Sequence, residues 1–435
     1  MLPSSIPIPL PGGLHRPLPK FISVAQKFST ETLADIDAAI AKEFAKYSDI
    51  DLSGKSIAIS VGSRGIKQIV PVVSALIREL KGAGAKPFII PAMGSHGGGS
   101  AEGQAAVLTS YGVTEDAMGV PVKSSLDVVV LGRINLDVPV FCDKYAYEAD
   151  HVVVCNRVKP HTLFVGSVES GLMKMMLIGL GKHAGATVYH RAIKDYSFGQ
   201  IVRSVAREVM AECSILAGLA IVENSYCQTA AIEAVAPGEF EERENALLET
   251  ARQWMPSLPF DTADILLVDE IGKNISGSGL DLNVVGRKYH FHKPADDEYP
   301  KVRMIGVRDL TPLTHGSALG IGTIEFCRRR VLDKMDVEMT RVNALTGGVF
   351  MEAMPPLDYE TDRQILEIML TQIGLTEPPD ARLMWIRNTK EIAQVECSVA
   401  YLEEARGRED LEILTDPRPL AFDAAGNLSD EHMKQ

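Results

Sequence analysis

Two hydrophobic periods alternate along the first half of the chain and predict strands followed by helices. The run 56–61 (SIAISV) is short, apolar and rich in β-branched residues, which predicts a buried strand. Apolar residues then recur at helical spacing over 69–80, which predicts a helix with one buried face. Pro71 is compatible only with the first turn of that helix, and Gly82 follows its last apolar residue, so the two mark its ends.

The same order of elements repeats and predicts a parallel sheet covered by helices. A second strand at 86–92 leads into a glycine-rich turn at 94–99, and Ser100 is a good N-cap for the next helix. This succession is typical of parallel sheets, whose ligands bind at the carboxyl ends of the strands. Further runs predict strands at 127–131, 151–155 and 215–222, a helix at 199–212 and a solvated, acidic surface helix at 239–250.

A second α/β pattern follows a proline-containing linker at 255–260. It begins at 263–279 and continues through 302–310, a helix near 360–373 and the run 383–388. Because 435 residues exceed what one core usually organises, we expect two α/β domains with mostly parallel sheets. Residues 1–258 are predicted to form the catalytic and cofactor-binding domain. Residues 259–435 are predicted to close an interdomain cleft that holds the active site.

Composition narrows the possible partners. The chain is 46% hydrophobic and 23% charged, as in ordinary globular proteins, and its net charge of −13 argues against binding to nucleic acid. The cysteines form no CxxC pair, so zinc ribbons and thioredoxin-type chemistry have no support. No apolar run reaches the roughly 18 residues of a membrane span, and the proline-rich start is not a signal peptide. We expect a cytoplasmic protein with no nucleic-acid or membrane partner.

Candidate chemistry is concentrated in the stretch 156–191, which contains Lys174 and several of the ten histidines of the chain. Imidazole moves protons near neutral pH and ligates transition metals, so this stretch predicts a site. The histidines are His161, His183 and His190, and a further one, His96, lies upstream in the turn 94–99.

Each of these residues also has a purely structural interpretation. His96 is either a solvated turn residue or a general acid/base in a turn whose glycines let a substrate approach closely. Lys174 lies among apolar and small residues, where its amine is either desolvated toward nucleophilic use or directed to the surface. His161 follows a strand directly, which favours a functional role. For His183, beside Lys182, an exposed helix end is favoured.

Two further positions are candidates for anion binding. Arg64 lies in the turn Gly62-Ser63-Arg64-Gly65, at the carboxyl end of the first strand, where a guanidinium can fork onto a carboxylate or phosphate. The glycines of this turn are equally compatible with a plain strand-to-helix connection. Lys273 follows the strand ILLVDE of the second half and either faces the first domain across a cleft or belongs to a turn.

On these residues the chain resembles the lactate racemase family that uses a nickel-pincer nucleotide. The resemblance is to the pattern of the family and extends over most of the chain. The matching positions are Arg64 in SRG, the glycine-flanked His96, His161, Lys174, His190 and Lys273.

The resemblance implies a role for each of these positions. It implies that His190 ligates nickel and that Lys174 tethers a pyridinium-derived mononucleotide covalently. It implies that His96 and His161 are an acid/base pair acting on the substrate hydroxyl. The remaining matches imply cofactor contacts by Gly62 and Ser63 and substrate binding by Arg64 and Lys273.

Two departures from the family pattern affect these expectations. The tether lysine of the family usually follows a Gly-Gly pair, whereas Lys174 follows Gly171-Leu172-Met173, and its spacing from His161 is longer. Lys182, in GLGK, is therefore a rival tether. The substrate-side positions are not clearly of the lactate type, so another 2-hydroxy acid is as compatible as lactate.

The expected activity is inversion of C2 of a 2-hydroxy carboxylic acid, by a racemase or epimerase that transfers a hydride transiently to a cofactor made by separate synthesis enzymes. Such a reaction needs a base on each side of the substrate. One alternative is an NAD-dependent 2-hydroxy acid dehydrogenase, although the chain has no dinucleotide fingerprint in proper context. Another is a non-catalytic metal- or cofactor-binding protein, which would not need two acid/base histidines. The identity of the hydroxy acid, the tether lysine, the oligomeric state and the cofactor loading are not specified by the sequence.

Overall fold

A computed structural model describes residues 14, 16–63, 65–134, 137–290, 293–294 and 299–429. Contacts divide the chain into two compact units. Ser29–Met255 forms one, called the N-terminal unit, and Met1–Phe28 with Pro256–Gln435 forms the other, called the C-terminal unit. Each is built on a mostly parallel sheet with helices, which confirms the predicted α/β class.

The strands and helices of the described residues have the following bounds. The strands are β1 (Phe21–Gln26), β2 (Ser56–Val61), β3 (Lys86–Pro91), β4 (Val128–Ile134), β5 (Val138–Asp143), β6 (His151–Arg157), β7 (Ile215–Glu223), β8 (Thr229–Val235), β9 (Thr262–Ile271), β10 (Tyr289–His290), β11 (Lys293–Pro294), β12 (Lys301–Leu310), β13 (Phe326–Arg328), β14 (Leu357–Tyr359), β15 (Leu383–Ile386), β16 (Gln394–Ser398) and β17 (Leu411–Ile413). The helices are α1 (Ile36–Phe44), α2 (Ile69–Gly82), α3 (Ala101–Ser110), α4 (Glu115–Met118), α5 (Lys144–Glu148), α6 (Leu172–Lys174), which continues as a π-helix (Met175–Leu180), α7 (Lys182–Asp195), α8 (Phe198–Glu212), α9 (Phe240–Trp254), α10 (Arg329–Asp333), α11 (Val337–Gly347), α12 (Asp362–Leu370) and α13 (Leu402–Arg406).

The sheet of the N-terminal unit has the order β3-β2-β6-β7-β8, and its first four strands are parallel. β8 closes one edge antiparallel to β7, and β4 and β5 form a separate hairpin. The chain runs from β2 to its neighbour β3 and then returns to the other side of β2 at β6. The direction of winding therefore reverses between β2 and β6, and a crevice forms at the carboxyl ends of the strands at such a switch point.

This sheet is buried on both faces. Along β2, Ala58 packs into one hydrophobic cluster while its neighbours Ile57 and Ile59 pack into another. β6 alternates in the same way, with Val152 in the first cluster and Val153 in the second. Because successive side chains of a strand point to opposite faces, a strand covered on both sides is apolar at every position. This explains the continuous apolar runs of the sequence.

The sheet of the C-terminal unit has the order β14-β13-β12-β9-β15-β16-β1-β17. The strands from β14 to β15 are parallel, whereas β16, β1 and β17 are antiparallel to their neighbours. The chain runs outward from β9 through β12 and β13 to β14, and then returns to the other side of β9 at β15. This unit therefore has its own switch point, between β9 and β15.

Several predicted elements are confirmed, and one needs correction. The strand at 56–61 and the helix beginning at Ile69 have the predicted bounds, and Ser100 accepts a hydrogen bond from the Gly103 N–H as an N-cap at 3.0 Å. The strand predicted at 127–131 is present as β4, which pairs with β5 in a separate hairpin. The helix at 239–250 exists as α9, but it is not solvated on all sides, because one face is buried.

The division of the chain also differs from the predicted boundaries of 1–258 and 259–435. The second unit begins at Pro256, and β1 lies in its sheet between β16 and β17. The fully buried side chains of Phe21 and Ile22 contribute to that unit rather than to the first. Of the proline-rich start of the chain, residues 1–13 and 15 lie outside the described residues.

Candidate active site

Three loops of the N-terminal unit meet at one edge of its sheet. Ser63 follows β2, His96 follows β3 and His161 follows β6. Because β2 pairs in parallel with both β3 and β6, the carboxyl ends of the three strands lie side by side. The topology therefore brings these residues to the switch point of the sheet, where ligands of doubly wound folds bind.

The turn after β3 holds His96 against the loop after β2. The Ser63 hydroxyl and Nδ1 of His96 are hydrogen-bonded, and the Tyr111 hydroxyl donates to the Ser63 carbonyl oxygen. Gly97 and Gly98 have φ angles of 66° and 67°, a region that glycine adopts without the steric cost of a side chain. With Nδ1 engaged by Ser63, proton exchange between His96 and a ligand falls to Nε2.

The helical segment that carries Lys174 packs across these strand ends. A Cβ atom added at Gly62 would lie 3.0 Å from Cε of Met175, and one at Gly94 would lie 2.7 Å from Cγ2 of Ile178. At its start, the Gly171 carbonyl oxygen accepts a hydrogen bond of 2.7 Å from the Asn156 side chain of β6. Gly62 and Gly94 therefore permit the close packing that places Lys174 beside the switch point.

Lys174 and His190 are electrostatic neighbours. The pKa of His190 lies below its usual value of 6.5, first because the ring is buried and then because Lys174 and Lys194 place positive charge near it. Both Lys174 and His190 are half-buried. A lowered pKa keeps the imidazole neutral, which is the form that ligates a metal.

Lys182, the rival tether in the sequence, has a structural role. Its side chain is fully buried, and Nζ donates to the Pro91 carbonyl oxygen at 2.7 Å and pairs with Asp143 at 2.9 Å. The residue lies at φ 54° and begins α7, shortly after the π-helix. Its amine therefore neutralises a buried carboxylate, and removing it would leave that charge uncompensated.

The loop after β6 fixes the ring of His161. Its Nδ1 accepts hydrogen bonds from the backbone N–H groups of Leu163 and Phe164, at 3.0 and 3.2 Å. The ring stacks on Phe164, with centroids 4.5 Å apart. Because Nδ1 is an acceptor, neutral His161 carries its proton on Nε2. In this arrangement Nε2–H is a donor toward a ligand.

Two buried carboxylates that the sequence analysis did not single out organise this site. Glu169 is fully buried, accepts from the His161 N–H at 2.6 Å and pairs with Arg252 at 2.7 Å. Glu244 of α9 is also fully buried and accepts from the N–H of Met173 at 2.9 Å, next to Lys174. Burial raises the pKa of Glu244 to about 7. No local motif of the sequence marks either residue. Glu244 acts on a segment distant in sequence, and Glu169 acts across a turn.

The remaining predicted site residues lie elsewhere. Arg64 lies outside the described residues. Lys273 belongs to the C-terminal unit, where it is exposed after β9 and its N–H donates to Oγ1 of Thr314 at 3.0 Å. Its role in substrate binding stays a prediction. His183 is exposed as expected, and its ring lies against Gly99 of the His96 turn.

Two features are absent from the described residues. Among them, no group of three or more His, Cys, Asp or Glu side chains could hold a metal ion. None of the described helices is long and apolar enough to cross a membrane.

Comparison with known proteins agrees with the geometry of the N-terminal unit. Residues 29–198 match the family model of the lactate racemase N-terminal domain. This stretch of the chain is therefore similar to the N-terminal domain of lactate racemases, and it includes Ser63, His96, His161, Lys174 and His190.

Whole-chain comparisons give only distant similarity. The lactate racemase apoprotein from Thermoanaerobacterium thermosaccharolyticum is 12% identical to this chain, with a TM-score of 0.45 over 85% of this chain and 89% of that one. A search of curated protein sequences finds no match.

Proposed function

We propose that the protein is a racemase or epimerase that inverts C2 of a 2-hydroxy carboxylic acid. The observation that carries the proposal is the convergence of His96 and His161 at one switch point, with the helical segment of Lys174 packed across the same strand ends. Two imidazoles beside one ligand position suit a reaction that must accept both configurations at C2. The similarity of residues 29–198 to the lactate racemase N-terminal domain supports the same reaction class.

The two histidines have different roles at Nε2: that of His96 accepts a proton, and that of His161 carries one. Nε2 of His96 takes the hydroxyl proton of the substrate when the C2 alcohol is oxidised, while Ser63 holds the ring through Nδ1. Nε2–H of His161 donates a hydrogen bond to the substrate oxygen and keeps its proton, because the ring is neutral. When the roles exchange, His161 has to carry its proton on Nδ1, so the hydrogen bonds from Leu163 and Phe164 must open. We therefore expect the His161 loop to move during each catalytic cycle.

The residues present fit a lysine-tethered nickel-pincer nucleotide. His190 is a neutral imidazole donor because burial and positive charge lower its pKa. Lys174 is its electrostatic neighbour and is half-buried, whereas Lys182 is engaged by Asp143. A metal with a single imidazole ligand needs further ligands, and a pincer-type organic group supplies them. We therefore assign Lys174 as the tether and His190 as the nickel ligand.

When bound, such a group supplies a reversible hydride acceptor for C2. The protein residues then have separate tasks. Gly62 and Ser63 form the wall of the crevice next to the tether, and Gly62 leaves room for the segment that carries Lys174. Arg64 and Lys273 are proposed to bind the substrate carboxylate, because cations orient such a group.

The proposal is tested with the full chain co-expressed with the cofactor-synthesis enzymes. Intact-mass and nickel analysis first establish loading, and peptide mapping is expected to find the adduct on Lys174. Chiral chromatography then follows both enantiomers of a panel of short and sugar-derived 2-hydroxy acids without added NAD. We expect interconversion without accumulation of the 2-oxo acid.

Variants of the two imidazoles test the mechanism. We expect His96→Ala and His161→Ala each to lower kcat/KM by roughly 10²–10⁴-fold. For a pair of enantiomers the loss must be equal in both directions, because their equilibrium constant is one. His151→Ala is the control, since His151 begins β6 at the opposite end of the strand from His161. Full activity of either site variant, an adduct on Lys182, or stoichiometric reduction of added NAD would contradict the proposal.

A further inference from the structure

Two cysteines that lie far apart in the sequence are in contact within the N-terminal unit. Cys142 lies in β5 and Cys213 follows the last residue of α8, and their Sγ atoms are 3.4 Å apart. Both are free thiols, and both belong to one hydrophobic cluster. A disulfide requires two sulfur atoms that face each other across a short gap. This thiol pair therefore needs only a small movement to form one.

The backbone holds both members of the thiol pair in place. Cys142 pairs with Val129 in the β4–β5 hairpin. The N–H of Cys213 donates to the Val209 carbonyl oxygen at 2.9 Å, and the Cys213 carbonyl oxygen accepts from the Ile215 N–H at 2.8 Å. Because each cysteine is fixed to a packed element, the two sulfur atoms stay close in the folded protein. Such proximity favours a reaction between them over a reaction with a second molecule.

The two thiols differ in reactivity. The pKa of Cys213 lies below its usual value of 9.0, because a hydrogen bond from the Cys142 thiol stabilises its thiolate. The same contact, together with burial, raises the pKa of Cys142. Elsewhere, burial raises the pKa of Cys155 to about 12 and also raises those of Cys327 and Cys397. Since the thiolate is the nucleophile, Cys213 is the more reactive member of the pair.

Cys213 is also the member of the thiol pair that solvent reaches. It keeps 5% of its surface exposed, whereas Cys142 is fully buried. Its neighbours Glu212 and Ser214 are both exposed, so Cys213 lies just below the surface at the end of α8. A lowered pKa, access for a small solute and an adjacent second thiol are the features of cysteines that oxidise reversibly.

We propose that the thiol pair is a site of modification by hydrogen peroxide, at which oxidation of Cys213 ends in a disulfide with Cys142. The Cys213 thiolate attacks one peroxide oxygen and breaks the O–O bond, which gives a sulfenic acid and a hydroxide that takes up a proton to become water. The Cys142 sulfur then attacks the sulfenic sulfur, so the S–S bond forms, the S–O bond breaks and a second water leaves. The two thiols together lose two protons and two electrons, and the peroxide is reduced to two molecules of water.

The disulfide closes a loop around the segment that carries three of the candidate site residues. The stretch 142–213 includes His161, Lys174 and His190. A cross-link over a long stretch restricts the unfolded chain and so stabilises the folded one. Oxidation of the thiol pair therefore protects this segment against unfolding. This consequence does not depend on the catalytic roles proposed for the three residues.

The experiment treats the reduced, full-length protein with hydrogen peroxide, removes the peroxide with catalase and blocks the remaining thiols by alkylation. Peptide mapping without reductant is expected to find Cys142 joined to Cys213. The intact mass before alkylation should fall by the mass of two hydrogen atoms. The oxidised protein should melt roughly 5 °C or more above the reduced protein, because the disulfide closes a long loop. Dithiothreitol should reverse both changes.

Three variants distinguish the roles of the cysteines. Cys142→Ser removes the second thiol, so peroxide should leave a sulfenic acid on Cys213 that dimedone traps. Cys213→Ser should slow the oxidation of Cys142 about tenfold or more, since the remaining thiol is buried and poorly ionised. Cys227→Ser is the matched control, because Cys227 is a partly exposed free thiol between β7 and β8. It should form the disulfide at the rate of wild type.

Several outcomes would overturn the proposal. They are failure of oxidised wild type to form the disulfide between Cys142 and Cys213, dimedone labelling of Cys142 in place of Cys213, and a lower melting temperature after oxidation. Formation of the same disulfide at an unchanged rate in concentrated urea would also count against it, since the fold would then not bring the thiols together. The measurement on wild type needs no substitution, so it decides the proposal even if a serine variant unfolds.

Discussion

Lys174 and His190 influence each other although they lie on different helices. Burial lowers the pKa of His190, and the positive charge of Lys174 lowers it further, ahead of that of Lys194. A protonated imidazole next to an ammonium would be repelled, so the neutral ring is favoured. A histidine must also be neutral to ligate a metal. The effect of Lys174 on the pKa of His190 is therefore compatible with the proposed roles of Lys174 as tether and His190 as ligand.

Removing the ammonium of Lys174 should raise the pKa of His190. Lys174→Met keeps the length of the side chain and removes its charge, so the titration midpoint of His190 should move toward 6.5, the ordinary value for histidine. The measurement is an NMR pH titration of isotopically labelled histidines, with His190→Gln to assign the signal. Lys194→Met should produce a smaller rise. An unchanged midpoint in Lys174→Met would show that the two side chains are not neighbours.

At the residue scale, the sequence indicates which side chains are candidates for a reaction better than it indicates which groups those side chains bond to. The glycine-flanked position of His96 indicates a turn at a strand end, and the structure has that turn. The sequence does not show that Nδ1 of His161 accepts from the backbone, which decides the tautomer. It also leaves Lys174 and Lys182 as rivals, because both are lysines among glycines and apolar residues. Only the three-dimensional contact with Asp143 distinguishes them.

At the scale of elements, α9 stabilises the start of the segment that carries Lys174. Glu244 accepts from the Met173 N–H, so its carboxyl group caps an N-terminus whose N–H groups have no partners within the helix. The acidic composition of 239–250 predicts a solvated helix, and this is wrong for the face that holds Glu244. Most acidic residues of such a stretch are exposed, and burial of one of them depends on packing that periodicity does not report.

The buried Glu244 should make stability depend on pH. Its pKa is about 7 in the folded protein against an ordinary value of 4.5, so the folded state holds a proton that the unfolded state has lost. Stability from this group is complete below 4.5 and is lost as the pH rises through 7. The whole effect amounts to roughly 3 kcal/mol. Glu244→Gln should abolish it, so that the variant unfolds at a higher denaturant concentration than wild type at pH 8.

One control variant and one other buried carboxyl group define the contribution of Glu244. Glu242, on the same helix, is exposed, and Glu242→Gln should leave the pH dependence unchanged. Glu352 of the C-terminal unit has its pKa raised to about 7 by burial and contributes with the same sign, so its share persists in Glu244→Gln. Denaturant unfolding between pH 5 and 8 measures all three. A parallel pH dependence of wild type and Glu244→Gln would show that this carboxyl group titrates normally.

At the scale of the whole molecule, the sequence predicts two α/β units but not the membership of the first strand. Strands joined by local crossovers, such as β2 and β3, are read from one stretch of sequence. β1 pairs with β16 and β17, at the opposite end of the chain, and no short-range pattern encodes such a pairing. The boundary predicted near 258 therefore lies close to the observed one at Pro256. The segment before Ser29 is predicted to belong to the first domain, whereas in the structure it belongs to the C-terminal unit.

The placement of β1 predicts how fragments of the chain will fold. Phe21, Ile22 and Val24 are fully buried in the C-terminal unit. Burial of a large apolar side chain contributes roughly 1.5–3 kcal/mol, so loss of all three removes on the order of 5 kcal/mol, comparable with the whole stability of a small domain. A fragment 256–435 should therefore fail to fold by circular dichroism and should expose an unpaired edge of β16. Co-expression with residues 14–28 should restore a cooperative thermal transition, and Val24→Asp in that segment should abolish the rescue. The fragment 29–255 should fold without either. If 256–435 unfolded cooperatively on its own, β1 would be an accessory strand and the division of the chain at Ser29 would have no energetic meaning.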